Sequence, residues 1–381
     1  MNFRSYEIKD ICKIKSGKRL PKGTDFSEKP TKHKYIRARD IKNGKIDGSD
    51  LGYISKETQK KIERYIVNTN DIIITIAGTI GEVALVSKKF DGVNLTENAV
   101  RLTEFSKDVC PEFLAYILKS PEQKEYMEQV AGGSAQPKLG IYKIEAIKVD
   151  LPDIQIQHKI ADILSAYDDL IENNQKQIKL LEEAAQRLYK EWFVDLRFPG
   201  HENTKIVDGV PEGWRRGLLK ELISVNYGKD HKKVPDDGNI PVYGSGGLMR
   251  KCNKSLFSGE AVLIPRKGSL NNIMYVDETF WTVDTMFYAT MKQPHTAVFV
   301  YFFVKAFDMY SMNIGAAVPS MTTKILDAMD VVIPDKETLK NFDKCAKTYF
   351  NKIKTLQGQN ERLKTARDLL LPKLMSGEVE V

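Results

Sequence analysis

The sequence predicts an α+β fold: two pseudo-repeated α/β domains separated by an antiparallel pair of long coiled-coil helices. The first observation is an internal repeat, in which Gly133–Pro152 aligns with Gly315–Pro334 at a constant offset of 182 residues. The second is that the offset continues into the following helical segments, where Leu181 matches Leu363. A fixed offset across loop, strand and helix indicates two copies of one unit.

Each predicted domain contains a buried strand, a loop and a return strand. In the first copy, the β-branched run Asp71–Ile76 predicts the buried strand, glycines mark the loop, and Val83–Val86 predicts the return. In the second copy, the same elements are Ala261–Ile264, Arg266–Ser269 and Ile273–Val276. One apolar helix follows in each copy, at Pro111–Lys119 and His295–Phe307.

Two long helices are predicted, from Ile154 to about Val194 and from Leu339 to about Met375. Their apolar residues recur at steps of three and four, which is the pattern of a coiled-coil seam. The residues that we assign to helix–helix or subunit docking are Ile160, Ile163, Leu170, Asn174, Leu181, Leu188, Tyr349, Ile353, Leu356, Leu363 and Leu370.

Two asparagines and one proline interrupt the regular pattern of these predicted helices. Asn174 and Asn360 interrupt the apolar pattern, either as polar seam positions that fix register or as exposed residues. Pro372 is expected to kink the second helix or to begin its termination. Antiparallel pairing is the economical arrangement, because the linker from Arg197 to Glu212 is short beside helices of roughly 55–60 Å.

These elements divide the chain into four segments. They are domain 1 (1–153), helical region 1 (154–198), domain 2 with its linker at 199–213 (199–335), and helical region 2 (336–381).

The composition predicts a soluble cytoplasmic protein. Hydrophobic residues make up 42% and charged residues 29% of the 381 residues, and the most apolar run, Ala297–Val304, is too short to span a membrane. The N-terminal residues lack the apolar core of a signal peptide. The four cysteines are far apart without a CxxC pair, which argues against zinc and favours a reducing compartment.

The charge is concentrated in the first domain. Residues 1–150 contain 27 Lys and Arg against 21 Asp and Glu, whereas residues 151–381 contain 31 against 30. A basic domain suggests a polyanionic partner, and an ordinary solvated surface is the alternative.

Basic and aromatic residues cluster in matching regions of both copies. Arg37 and Arg39 would lie on one face if Tyr35–Asp40 is a strand, and arginine can both neutralise phosphates and read guanine. The glycine-rich stretch Tyr243–Gly247 permits close approach to a ligand. The candidate DNA-binding residues are Lys15, Lys18, Arg19, Tyr35, Arg37, Arg39, Thr79, Gln136, Lys138, Lys229, Lys232, Lys233, Tyr243, Ser245, Arg266, Lys267 and Ser269.

Signs of catalysis are weak, and we assign no catalytic or metal-binding residue. The stretch Tyr243–Gly246 mimics a methyltransferase glycine loop, but Pro241 precedes it and no suitable helix follows. Walker-type lysine loops and convincing nuclease constellations do not occur, and the five histidines do not cluster. No cofactor is therefore expected in this chain.

Several segments resemble the specificity subunit of type I restriction–modification systems. The most specific are the helix end and linker Leu188–Gly200 and the segment Asp208–Trp214. Lys34–Ile41, Ile240–Gly247 and the ends of the pre-helix segments at Pro152 and Pro334 are also typical of the family, and the resemblance covers the whole chain.

The resemblance implies a non-catalytic, DNA-binding subunit. Its two domains would be target-recognition domains that each read one half of an interrupted double-stranded DNA sequence, and its helices would act as a ruler. The helices would also dock two adenine-specific methyltransferase subunits, and two ATP-driven restriction subunits can join such complexes. The implied cofactors, S-adenosylmethionine, ATP and magnesium, belong to those partners. Lys336–Lys340 replaces the Gln-rich start of the first helix, so the two docking faces would differ.

Two other function classes remain open from the residues alone. An enzyme with an unrecognised active site would show activity with labelled S-adenosylmethionine in the isolated chain. A pure coiled-coil scaffold would have no affinity for DNA, and the basic excess in residues 1–150 argues against it.

Overall fold

The computed structural model describes residues 3–132, 137–312 and 320–381. The chain forms two compact units. Unit 1 contains the described residues up to Glu172 together with Asn360–Val381, and unit 2 contains Asn173–Gln359. Each long helix therefore contributes one part to each unit.

Unit 1 consists of short strands, short helices and the first part of a long helix. The strands are β1 (Arg4–Glu7), β2 (Lys13–Ser16), β3 (His33–Ile36), β4 (Ile41–Lys42), β5 (Lys45–Ile46), β6 (Gly52–Ile54), β7 (Ile72–Thr75), β8 (Val83–Leu85), β9 (Asn94–Leu95), β10 (Ala99–Thr103) and β11 (Lys148–Leu151). The helices are α1 (Ile8–Ile11), α2 (Lys56–Lys61), α3 (Pro111–Leu118), α4 (Pro121–Ala131), α5 (Ile141–Glu145) and α6 (Ile154–Tyr189).

The main sheet of unit 1 has the strand order β2–β10–β7–β8, and its pairs are antiparallel. The β-branched residues of β7 are buried on both faces, which explains the continuous apolar run in the sequence. Arg101 of β10 is also buried, and its guanidinium lies 2.7 Å from the Asp71 carboxylate at the start of β7. This ion pair satisfies both charges inside the unit.

Unit 2 is built around longer strands. They are β12 (Ile206–Val207), β13 (Val210–Pro211), β14 (Arg215–Leu218), β15 (Ile223–Tyr227), β16 (Ile240–Gly244), β17 (Gly247–Cys252), β18 (Phe257–Pro265), β19 (Met274–Thr282), β20 (Met286–Met291) and β21 (Asp330–Ile333). The helices are α7 (Ala297–Lys305), α8 (Thr323–Asp327) and α9 (Lys336–Ser376). Within the described residues, the main sheet has the order β15–β20–β18–β19–β16–β17.

The two units repeat the same topology, as the sequence predicts. The order β2–β10–β7–β8 in unit 1 corresponds to β15–β20–β18–β19 in unit 2. The antiparallel pair β1–β11 corresponds to β14–β21. The offset of 182 relates both bounds of α5 to those of α8, both bounds of β11 to those of β21, and the start of α6 to that of α9.

In unit 1, the beginning of α6 packs against the end of α9. Leu374 of α9 is buried in one apolar cluster with Ile160 and Leu164 of α6. Arg367 of α9 forms an ion pair with Asp168 of α6. The two helices therefore run antiparallel in this unit.

In unit 2, the end of α6 packs against the beginning of α9, which is again antiparallel. The Phe342 ring is fully buried, and its centroid lies 4.8 Å from that of Phe193, 5.8 Å from that of Trp192 and 6.3 Å from that of Tyr189. The residues Lys190–Val194 form a π-helix that directly continues α6, so the aromatic residues of the helix end face this core.

Several local expectations need correction. The strand expected over Tyr35–Asp40 ends at Ile36, and Ala38–Asp40 is a 3-10 helix. The second long helix begins three residues before Leu339 and continues to Ser376, past Pro372. Asn174 and Asn360 are both buried, which excludes the exposed alternative for these residues.

Within the described residues, no helix is long and apolar enough to cross a membrane. The cysteines are free thiols; Cys12, Cys110 and Cys252 are buried, and Cys345 is exposed.

Replacing Phe342 by alanine should lower the free energy of unfolding of unit 2 by about 3–5 kcal/mol, because it leaves a cavity among three aromatic rings. The three tryptophans, Trp192, Trp214 and Trp281, all lie in unit 2, so urea unfolding followed by their fluorescence measures this unit. Leu180→Ala is the matched control: Leu180 is 63% exposed on α6, and its loss should cost less than about 0.5 kcal/mol. Equal effects of the two substitutions would contradict the proposed core.

Candidate nucleic-acid interface

In unit 2, three loops surround the turn Val283–Thr285, which joins β19 to β20 and is here named central turn 2. The Lys229 amide donates to the carbonyl oxygen of Thr282, just before the turn, at 2.9 Å. The Val283 amide donates to the Tyr243 carbonyl at 3.0 Å, and the Arg266 amide donates to the Thr285 carbonyl at 2.8 Å. Residues far apart in the sequence therefore meet at one end of the sheet.

Unit 1 has the same arrangement around Thr96–Asn98, named central turn 1, which joins β9 to β10. The Lys18 amide donates to the Leu95 carbonyl at 2.8 Å. The Thr96 amide donates to the Ile36 carbonyl at 3.0 Å, and the Ile76 amide donates to the Asn98 carbonyl at 2.8 Å. Each bond has a counterpart at central turn 2.

A glycine allows the first loop to approach each central turn. A Cβ atom at Gly17 would lie 2.0 Å from the Thr96 carbonyl oxygen, and one at Gly228 would lie 2.0 Å from the Val283 carbonyl oxygen. A side chain cannot be accommodated at such distances from backbone, so both positions require glycine. We call the end of each unit that carries these loops its loop end.

Lys18 and Arg19 lie at the loop end of unit 1. The Lys18 ammonium lies 5.7 Å from the centroid of the Tyr65 ring. The Arg19 Nε donates to Glu97 of central turn 1 at 2.6 Å, and the Arg19 side chain remains largely exposed. Burial opposes ionisation of Glu97, but hydrogen bonds from Arg19 and Thr96 outweigh it and hold its pKa below the ordinary value.

Arg37 and Arg39 have different surroundings. The Arg37 side chain is 18% exposed and donates to both carboxylate oxygens of Asp40 at 2.9 Å, and these hydrogen bonds raise the pKa of the guanidinium. Arg37 also donates to the carbonyl oxygen of Asp50. Arg39 is 67% exposed and pairs with the exposed Asp50 carboxylate at 3.2 Å. Arg37 therefore supports the fold, whereas Arg39 is accessible to a ligand.

Two other candidates of unit 1 are engaged in local contacts. Tyr35 is buried and its hydroxyl donates to the Lys18 carbonyl at 2.7 Å, while burial raises the pKa of this hydroxyl to about 12. Lys15 lies in β2 and pairs with Glu104, which follows the end of β10 that is remote from central turn 1. Tyr35 positions the Lys18 loop rather than presenting a free hydroxyl.

Thr79 and Lys138 are exposed at the loop end of unit 1. Lys138 forms an isolated antiparallel bridge with Ala77, next to the loop that carries Thr79. The equivalent bridge in unit 2 joins Lys267 and Ser320. Gln136, also a candidate, lies outside the described residues.

The basic candidates of unit 2 lie on the loop that follows β15. Lys229, Lys232 and Lys233 are all exposed. The loop is fastened to β17 by Arg250, whose guanidinium donates to the carbonyl oxygens of His231 at 2.6 Å and Val234 at 2.9 Å.

The remaining candidates of unit 2 lie on the two neighbouring loops. Tyr243 donates its hydroxyl to Glu278 at 2.5 Å, and burial together with this carboxylate raises its pKa. The Ser245 carbonyl accepts from Asn272 at 2.9 Å, which brings the β16–β17 turn beside the loop Arg266–Ser269. Lys267 and Ser269 are exposed, whereas Arg266 is half-buried.

The candidates from sequence did not include Tyr227 or Arg250. The Arg266 guanidinium lies 5.5 Å from the centroid of the exposed Tyr227 ring, which holds both side chains at central turn 2. The Tyr227–Gly228 pair, just before the basic loop, was visible in the sequence. The hydrogen-bond partners of Arg250 could not be inferred from the sequence, because they are tertiary contacts.

The helical candidates fall into three groups by burial. Ile160, Asn174, Ile353 and Leu356 are buried. The partly buried residues are Ile163, Leu181, Leu188, Tyr349, Leu363 and Leu370. Leu170 is 52% exposed and so faces away from the apolar cluster of its unit.

A further polar residue, Gln157, is buried at the start of α6. Its side chain accepts from the Cys110 amide at 2.9 Å and donates to the carbonyls of Asp108 and Pro152 at 2.9 and 2.8 Å. It thereby joins the long helix to the domain of unit 1. Its equivalent at the offset of 182 is the buried apolar Leu339, so this junction differs between the copies.

The part of the chain that the structure describes contains no group of three or more His, Cys, Asp or Glu residues that could hold a metal ion.

The family model for the type I restriction modification DNA specificity domain matches residues 2–183 and 211–365. The chain belongs to this family, with one match in each copy of the repeat. The matched residues cover the loop ends and most of both long helices.

Two relatives match this chain over most of their length. The chain is 26% identical over 370 residues to the type I restriction enzyme MjaIX specificity subunit of Methanocaldococcus jannaschii, covering 86% of this chain and 82% of that protein. It is 22% identical to the HindI specificity subunit of Haemophilus influenzae, covering 99% and 100%. A crystal structure of the type I S subunit from M. genitalium has a TM-score of 0.64 and 20% identity, covering 98% of this chain and 96% of that one.

The family membership confirms the principal predictions. The chain is a specificity subunit that recognises DNA sequence for a type I restriction–modification complex, and it acts with DNA and with other subunits. Specificity subunits are non-catalytic, so the interpretation as an enzyme with an unrecognised site is set aside. The structural likeness supports the fold.

Arg37→Ala should lower the free energy of unfolding of unit 1 by about 2 kcal/mol, because it removes charge-assisted hydrogen bonds from the buried Asp40. Arg39→Ala should change stability by less than about 0.5 kcal/mol and should weaken DNA binding. Hydrogen exchange of β7 and β10 measures the first effect, and fluorescence anisotropy with duplex DNA measures the second. An Arg37→Ala protein of unchanged stability would contradict the assignment.

Proposed function

We propose that each unit reads one half of a bipartite double-stranded DNA target through its loop end. The observation that carries this proposal is the equivalence of central turns 1 and 2, around which corresponding loops gather exposed basic and polar side chains. Two copies of one reading surface suit a target made of two separate half-sites.

The exposed lysines provide a sequence-independent part of this binding. Lys18 in unit 1 and Lys229 in unit 2 occupy equivalent positions after the glycines that approach the central turns. Ammonium groups at such positions can neutralise phosphates and release bound counterions. Exposed side chains such as Arg39 and Ser269 are then available to contact base edges.

The long helices are proposed to dock two adenine-specific methyltransferase subunits. Leu170 and Leu369 in unit 1 and Leu180 in unit 2 are exposed leucines on these helices, and they offer apolar contacts to such partners. Two restriction subunits can join the same assembly. The proposed cofactors are S-adenosylmethionine for methylation and ATP with magnesium for restriction, all used by the partners, and the complex would act in the cytoplasm.

The salt dependence of DNA binding tests the proposed loop end of unit 2. If Lys229 and Lys232 each contact a phosphate, replacing both by alanine should make the log–log slope of affinity against salt shallower by about 1.8. The complex with its modification subunits is titrated with labelled duplex DNA at several salt concentrations.

Lys220→Ala with Lys292→Ala is the matched control. The Lys292 ammonium donates to the Lys220 carbonyl at 2.6 Å, and the Lys292 amide donates to the Leu222 carbonyl, at the end of the sheet remote from central turn 2. This double variant should leave the slope of log affinity against log salt unchanged. Equal slopes for both double variants would exclude the loop end of unit 2 as the DNA-binding face.

A further inference from the structure

The outer hairpin of the main sheet in unit 2 leaves two consecutive apolar side chains exposed. In the pairing of β16 with β17, Val242 faces Arg250 and Tyr243 faces Leu248, so Met249 is an extra residue that forms a β-bulge. Leu248 is 60% and Met249 is 54% exposed. A regular strand would turn one of two neighbours to the opposite face, and the bulge removes this alternation.

The hairpin is held in place at the loop end by a side-chain contact and a backbone hydrogen bond. A Cβ atom at Gly244 would lie 2.4 Å from the Met249 sulfur and 3.5 Å from a Val283 methyl group, so Met249 lies over Gly244 beside central turn 2. The Tyr243 carbonyl accepts from the Val283 amide at 3.0 Å, which fixes the hairpin to the turn. The two apolar side chains therefore project from a supported platform.

The hairpin and the loop fastened to it carry an excess of basic residues, here named the basic rim. Residues 227–254 contain six Lys and Arg against three Asp. Arg250, the residue after the bulge, fastens the loop of Lys232 and Lys233 alongside the hairpin. Exposed apolar side chains with a polar rim mark an interaction site, and a positive rim suits a polyanionic partner.

The charge and the strand geometry favour DNA over a protein strand as the occupant. The centre of a protein–protein interface is depleted of charged residues, whereas the neighbours of this pair are Arg250 and Lys251. A bulge and a lysine on an edge strand oppose the addition of another strand. The major groove of DNA, in contrast, admits a two-stranded β-ribbon.

We propose that Leu248 and Met249 contact the 5-methyl group of a thymine in the major groove of the half-site read by unit 2. The thymine methyl group is the apolar feature of the major groove, and apolar side chains are its complement. The pair would thus determine specificity at one base pair, while the lysines of the rim contact phosphates. This inference rests on the proposed function, in which the loop end of unit 2 faces DNA.

The test replaces single thymines by 2′-deoxyuridine, which removes the methyl group and keeps base pairing. The methylated motif is first determined by long-read sequencing, and the complex with its modification subunits is then titrated with duplexes substituted one thymine at a time. Wild-type affinity should fall on the order of fourfold at one position of the unit 2 half-site, the effect of removing one buried methyl group from the interface. Equal affinity at every position would overturn the inference.

The substitution Leu248→Ala with Met249→Ala should abolish this discrimination between thymine and uracil. Ile206→Ala with Val207→Ala is the matched control, because it removes another exposed apolar pair of unit 2 and should retain the discrimination. Retention in the Leu248 and Met249 variant, or a loss of binding to modification subunits in that variant alone, would overturn the inference. A wild-type complex without preference for its motif over a scrambled duplex would instead remove the proposed function.

Discussion

The close approach of a glycine backbone to a central turn is the constraint on which the arrangement of each unit depends. At Gly17 and Gly228, a Cβ atom would lie 2.0 Å from a carbonyl oxygen of the turn, so any side chain would force the first loop away. The loop of Lys18 or Lys229 would then lose its hydrogen bond to the residue before the turn. The position of the basic loop in each unit is therefore set by backbone geometry. The identities of its side chains can differ between the two units.

Ion pairing divides the arginines and lysines into two groups with different roles. Arg101 with Asp71 and Arg37 with Asp40 satisfy carboxylates inside unit 1, so their removal would leave an uncompensated buried charge. Lys232 and Lys233 are exposed, so their removal should change the free energy of unfolding little. This division explains why the number of basic residues in a domain overestimates the number that is available to DNA.

The sequence predicted the repeat, the antiparallel helices and the main strands, because these follow from local pattern and a constant offset. Ile72–Thr75 falls within the predicted strand, and the bounds of β11 and β21 are related by the predicted offset. The surroundings of single residues were less predictable. The hydroxyl of the buried Tyr35 donates to a carbonyl seventeen residues away, and Arg37 donates to the carbonyl of Asp50, so neither contact could be inferred from spacing.

The two equivalent loop ends are proposed each to read a separate half of the DNA target. The most direct measurement exchanges residues 1–153 for the corresponding domain of a related specificity subunit and determines the methylated motif in cells by long-read sequencing. The account predicts that one half of the motif changes and the other half stays the same, because central turn 2 and its loops are retained. A change in both halves, or in neither, would contradict it.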